Sequence, residues 1–142
     1  MTFAVLDDHL LRDLVTGQIE PSLRRVLRAH RAATTNLYLF RLVRRASAKS
    51  SGPVTIDWSD ADRAGLTAAV LGFDEVAVVP MRDIVLRMAV LSAQHRLSAL
   101  GAEAVAAAEH LDGQLCVASE DDGPGIRAAA TAIGVPYRTL AR

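Results

Sequence analysis

Phe3-Ala-Val-Leu6 is an uninterrupted apolar run that ends in Asp7 and Asp8. That is the pattern of a buried strand delivering polar side chains to its carboxyl end. His9 to Val15 predicts a short helix stopped by Gly17, and Pro21 suits the first turn of the next. In that second helix Leu23, Val26, Leu27 and His30 share one face, with Arg24, Arg28 and Arg31 on another. Ala32–Thr35 predicts a second strand. A helix from about Asn36 to Ala48 turns Leu39, Leu42 and Val43 inward and sets Arg41, Arg44, Arg45 and Ala48 on one stripe.

Lys49-Ser-Ser-Gly-Pro53 reads as a break. Ser59 then predicts an N-cap with acids in the first turn, for a helix ended by Gly72. Glu75-Val-Ala-Val-Val-Pro80 is apolar enough to predict a central strand. Asp83 to about Leu97 and Ser98–Leu111 predict two amphipathic helices. Gln114–Ala118 predicts a strand running into Ser119-Glu-Asp-Asp122. A helix over Gly125–Ile133, capped by Gly134, and a strand over Val135–Leu140 complete the chain. Short apolar strands joined by helices imply an α/β fold around a mostly parallel sheet.

Length and composition narrow the class. The 142 residues suit one domain over 1–142 with a core that needs neither disulfide nor metal. At 51% hydrophobic and 23% charged, the chain is globular. The sequence shows no signal peptide and no membrane span, so a cytoplasmic protein is expected. Cys116 is the one cysteine, which excludes an internal disulfide and a cysteine-based zinc site. The four histidines show no metal-ligand spacing, and no nucleophile elbow or phosphate loop occurs.

The zero net charge hides an asymmetry. Arg12 to Arg45 holds eight arginines against Asp13 and Glu20, whereas Gly101 to Ile126 holds six acids and no Lys or Arg. Arg24, Arg28, Arg31, Arg41, Arg44 and Arg45 are candidate contacts to RNA or an acidic partner, against the plainer reading of solvated helix faces. Strands that end in acids bring carboxylates to one sheet edge. Asp7, Asp8, Glu120, Asp121 and Asp122 are therefore candidate ligands of Mg²⁺ or Mn²⁺, since clustered carboxylates call for a cation. The plainer alternatives are a helix cap at Asp7–Asp8 and a solvated turn at 120–122.

Val5-Leu-Asp-Asp-His-Leu-Leu11, Leu100 to Leu115, Cys116 to Ile126 and Gly134-Val-Pro-Tyr137 together resemble the PIN domain, the family of VapC-type toxin ribonucleases. The resemblance implies a PIN-like three-layer α/β/α sandwich. It also implies a metal-dependent RNA endonuclease, an antitoxin-like partner and, by analogy, a homodimer. Active members hold their metal with an acid after the first strand, one on a following helix, one opening a later helix and one after the next strand. Carried over, the first falls on Asp7, with Asp8 a substitute. The second falls on Arg41, the third on Gly101 and the fourth within Glu120–Asp122. Two of the four acids are missing, and one is replaced by a cation. Asp7 with Asp121 or Asp122 is then the expected catalytic remnant, with weak metal binding and low activity. The alternative is a non-catalytic RNA- or protein-binding module on the same fold.

Overall fold

The computed structural model describes residues 2–47 and 59–142. The expected break at 49–53, Ala48 and Trp58 lie outside the described residues. The elements are β1 (Thr2–Leu6), α1 (Asp8–Thr16), α2 (Pro21–Ala29), β2 (His30–Thr34), α3 (Asn36–Ser47) and α4 (Asp60–Leu71), then β3 (Ala77–Val78), α5 (Met81–His95), α6 (Ala99–His110), β4 (Gln114–Ala118), α7 (Pro124–Ala132) and β5 (Tyr137–Leu140). A single 3₁₀ turn, Ser119–Asp121, follows β4.

The five strands form one parallel sheet in the order β3-β2-β1-β4-β5. Strand alternation separates its faces. Val5, Ala33, Leu115 and Val117 pack against α5, α6 and α7, whereas Ala4, Leu6, Cys116, Ala118 and Leu140 pack against α1 and α2. The result is a three-layer α/β/α sandwich. A smaller cluster of Leu11, Leu42, Ala46, Leu66 and Val70 ties α1, α3 and α4 together. No helix among the described residues is long and apolar enough to cross a membrane.

Local signals set most boundaries. Gly17 ends α1 at φ 77°, in the left-handed region where glycine carries no Cβ penalty. Ser59 accepts from the Asp62 backbone N–H while the Asp62 carboxylate accepts from that of Ser59, a reciprocal cap. Gly113 is required because a Cβ there would lie 2.5 Å from the Phe3 carbonyl oxygen. Several expectations need correction. The strand at 75–80 is two residues long and lies at the sheet edge, not its centre. Pro80 lacks an N–H to extend the ladder and instead precedes α5, which starts at Met81 rather than Asp83. His30 opens β2 instead of completing the apolar face of α2, and its ring nitrogen meets the Thr2 hydroxyl.

Candidate functional site

The parallel pairing Val5↔Leu115 and Leu6↔Cys116 brings the carboxyl ends of β1 and β4 side by side. Asp7 sits at that junction, fully buried. Its Oδ1 accepts from Leu10 N–H at 2.9 Å as the N-cap of α1, and its Oδ2 accepts from Ala118 N–H at 2.9 Å. Asp7 therefore fastens α1 to the end of β4. Burial pushes its pKa up to about 7; the two backbone donors oppose that shift, and the charges of Asp8 and Asp121 add to it.

The neighbouring Asp8 carries the charged cluster. It is fully buried, and Arg45 Nη1 donates to its Oδ2 at 2.6 Å. Arg41 Nε lies 3.6 Å from the same oxygen, and Arg41 Nη2 is 4.0 Å from Asp121 Oδ2. His9 Nε2 is also 4.0 Å from Asp121 Oδ2. α3 thus turns two arginines of its stripe inward, one helical turn apart, to meet α1 and the turn after β4. Arg44 stays exposed. Arg41, at the place where the second acid was expected, thus lies between Asp8 and Asp121 and does not pair with Asp7.

The remaining acids are held elsewhere. Asp122 is bonded to Arg127 at 2.8 Å and to the Tyr137 hydroxyl at 2.8 Å, and these hold it below the usual carboxylate range. Glu120 accepts from Arg142 at 2.6 Å, and the same guanidinium forks onto both oxygens of Asp13. Burial raises the pKa of both acids, but the arginine bonds outweigh it and leave them lowered. At Gly101 a Cβ would lie 3.0 Å from Ile126 Cγ1, so the Ile126 side chain closes over the place where an acid would leave α6.

Sequence reasoning missed Glu103. It is fully buried, and its two oxygens accept from Asn36 N–H at 3.0 Å, Asn36 Nδ2 at 2.7 Å and Leu37 N–H at 2.7 Å. From α6 it caps the start of α3, the helix that carries Arg41 and Arg45. A Glu inside an alanine-rich buried stretch was the available signal, because an unpaired carboxylate does not stay in a core.

Asp8, His9 and Asp121 place one ligand atom each within 4.8 Å of one another, a spacing that admits a metal ion. Asp8 Oδ1 is buried and has no hydrogen-bond partner among the described residues. The charge balance works against occupancy. Two guanidiniums already offset the two carboxylates, and a hard cation held by oxygen would add positive charge to a neutral group. These residues do not fit a tightly held Mg²⁺.

The arginines of α2 form a separate surface. Arg24, Arg25 and Arg28 are exposed, and no ion pair of theirs is seen among the described residues. Arg138 of β5 is exposed too and shares strand parity with Leu140, which packs beside Leu23 and Val26 of α2. Arg31 does not join them. It stacks over the Phe3 ring at 5.2 Å, on the opposite sheet face. The stripe of Arg24, Arg28 and Arg31 is broken because α2 ends at Ala29 and β2 resets the side-chain direction.

No family model matches the chain, and no curated protein matches it at a significant level. Its fold is similar to that of a chain in a solved toxin–antitoxin complex from Klebsiella pneumoniae. The TM-score is 0.56 at 16% identity, covering 86% of this chain and 93% of that one.

Proposed function

We propose that this chain is a PIN-like protein of the toxin–antitoxin class whose acidic centre has become a closed ion-pair cluster, leaving metal-dependent RNA cleavage weak or absent. The observation that carries the reading is the pair of guanidiniums, Arg41 and Arg45, at 3.6 and 2.6 Å from the buried Asp8 carboxylate. A cleaving site needs a divalent ion to activate water and neutralise developing charge. Here fixed cations balance the carboxylates and activate no water. Asp7 spends an oxygen on each of two backbone amides, and Gly101 supplies no ligand.

Manganese titration calorimetry alongside cleavage of a mixed RNA substrate tests this. Weak binding and no cleavage are expected. Joint replacement Arg41→Glu and Arg45→Gln should raise manganese affinity by about tenfold, since a carboxylate ligand replaces a repelling cation. Tight stoichiometric binding by the parent protein, with cleavage abolished by Asp8→Asn, overturns the reading.

A second reading is a binding module for RNA or a protein partner. Two observations support it: the exposed Arg24, Arg25, Arg28 and Arg138, which form no ion pair among the described residues, and a structural neighbour that is itself part of a protein complex. Binding through α2 is compatible with a silent acidic centre, because the exposed arginines of α2 take no part in the ion pairs of Asp8 and Asp121.

A further inference from the structure

The sheet ends in β5, whose pairing is one-sided. β4 runs along one edge of it, and no strand among the described residues meets the other. One bond fixes the backbone direction of each β5 residue: Leu115 N–H donates to the Pro136 carbonyl at 2.9 Å. Strand alternation then turns the N–H and C=O of Arg138 and Leu140 toward β4 and those of Tyr137 and Thr139 outward. These outward donors and acceptors are a template for a further strand. The opposite edge of the sheet offers less, because β3 is two residues long.

One face of this edge is basic. Arg138 is exposed and shares strand parity with Leu140, which packs with Leu23 and Val26 beneath α2. The Ser22 hydroxyl donates to the Ala141 carbonyl at 2.7 Å, so the side of α2 that carries Ser22 adjoins the end of β5. Arg25 follows on that same side, one turn along, and is exposed. Neither arginine forms an ion pair among the described residues, and α2 and β5 contain no acid. On the other face Arg127 stacks on the Tyr137 ring, and that guanidinium is already bonded to Asp122. The uncompensated charge is thus confined to the α2 face.

We propose that the outer edge of β5 takes an extended segment of a partner protein with an acid at every second position, its main chain pairing at Tyr137 and Thr139 and its carboxylates meeting Arg138 and Arg25. The proposal rests on the reading of the chain as a binding module and names the partner for it. Strand addition supplies affinity through main-chain bonds and specificity through alternate side chains, which here fall on the basic face. The edge favours a peptide over RNA, because its outward carbonyls accept from peptide N–H groups and repel phosphate oxygens. A second copy of the chain fits poorly. A twofold pair of β5 strands would put Arg138 and Arg25 of both copies on one face, where like charges repel.

The test is a titration of the isotope-labelled full chain, at low salt, with a capped peptide of alternating glutamate and valine, followed by amide NMR. So short a peptide should bind with a Kd on the order of 0.1–1 mM. The Tyr137 and Thr139 amides should shift, and their hydrogen exchange should slow. Arg25→Gln with Arg138→Gln should weaken binding about fivefold. Thr139→Pro removes an outward N–H and leaves the ladder to β4 intact, a change that edge strands tolerate, and should weaken binding by about the same factor. Two further peptides read the main-chain pairing without altering the protein, one N-methylated at its glutamates and one at its valines. Alternate amides face β5 and solvent, so one of the two should lose binding and the other keep it. Binding indifferent to Thr139→Pro and to both methylations, equal binding by a lysine–valine peptide, or no peptide binding overturns the proposal. If the peptide fails while a labelled RNA oligonucleotide is retarded by the parent and not by the double Gln protein, the proposal falls and the binding-module reading stands. If neither probe binds, both fall.

Discussion

Arg45 Nη1 reaches the fully buried Asp8 Oδ2 at 2.6 Å across thirty-seven positions of sequence, tying the third helix to the first. A buried carboxylate that loses its guanidinium stays desolvated with less compensation. Arg45→Ala should therefore destabilise the fold by about 2–3 kcal/mol, while Asp8→Asn in the same background should recover part of that loss. The coupling energy from urea unfolding of the four proteins should be about 1–2 kcal/mol. Strict additivity would mean that Arg41 alone balances Asp8.

Asp7 predicts a pH dependence of opposite sense to ordinary acid denaturation. Its pKa rises from 3.8 to about 7 on folding, so the folded protein holds a proton that the unfolded chain has released. The stabilisation is fully present below about pH 4 and is lost as pH rises through about 7. The change is up to about 4 kcal/mol from this group alone. Urea midpoints between about pH 5 and pH 8 should fall in the parent. They should fall much less in Asp7→Asn, which is neutral throughout and retains one cap acceptor. Equal slopes in both proteins would place the titration elsewhere.

Glu103 is the third structural carboxylate, and its replacement should act at a distance. Glu103→Ala leaves the Asn36 and Leu37 backbone donors unpaired at the start of α3 and should cost about 2–4 kcal/mol. Glu103→Gln keeps one acceptor and should cost roughly half as much. Because α3 carries Arg41 and Arg45, amide exchange at 36–45 should accelerate in Glu103→Gln before exchange in β4 does. Uniform acceleration would mean that Glu103 serves the core generally and not the helix start.

The sandwich was legible because apolar runs ending in acids mark parallel strands, and β1 and β4 pair as that pattern implies. The edge position of β3 was not. Val76 to Val79 reads as a buried strand, and apolar character alone does not distinguish a strand buried by sheet neighbours from a segment buried under helices. At the acidic centre the region was legible but the residue was not. Asp7 and Asp8 are adjacent, and the junction into α1 decides which becomes a cap and which faces Asp121. That depends on backbone angles a residue pattern does not carry. Arg41 and Arg45 read as candidate contacts to RNA or an acidic partner, or as a solvated stripe, and their pairing with Asp8 was not legible because that acid lies more than thirty positions away; the partners of Glu103 are more distant still.

Arg24, Arg28 and Arg138 share the α2 side of the sheet, whereas Arg31 lies over Phe3 on the other. If the α2 surface meets RNA, affinity should fall as salt rises, with each phosphate contact contributing about 0.7 to the logarithmic slope for a single strand. Changing Arg24, Arg28 and Arg138 together to Gln should then reduce the slope by up to about 2, while Arg31→Gln should leave it unchanged. Arg31→Gln serves as the control because it removes the same charge from the opposite face. Self-association of basic against acidic regions also weakens with salt. It differs in that sedimentation of the protein alone would shift toward monomer, with no labelled RNA retarded. A mobility shift that survives the triple change but is lost in Arg31→Gln would move the contact to the Phe3 face, and a shift indifferent to salt would remove phosphate recognition altogether.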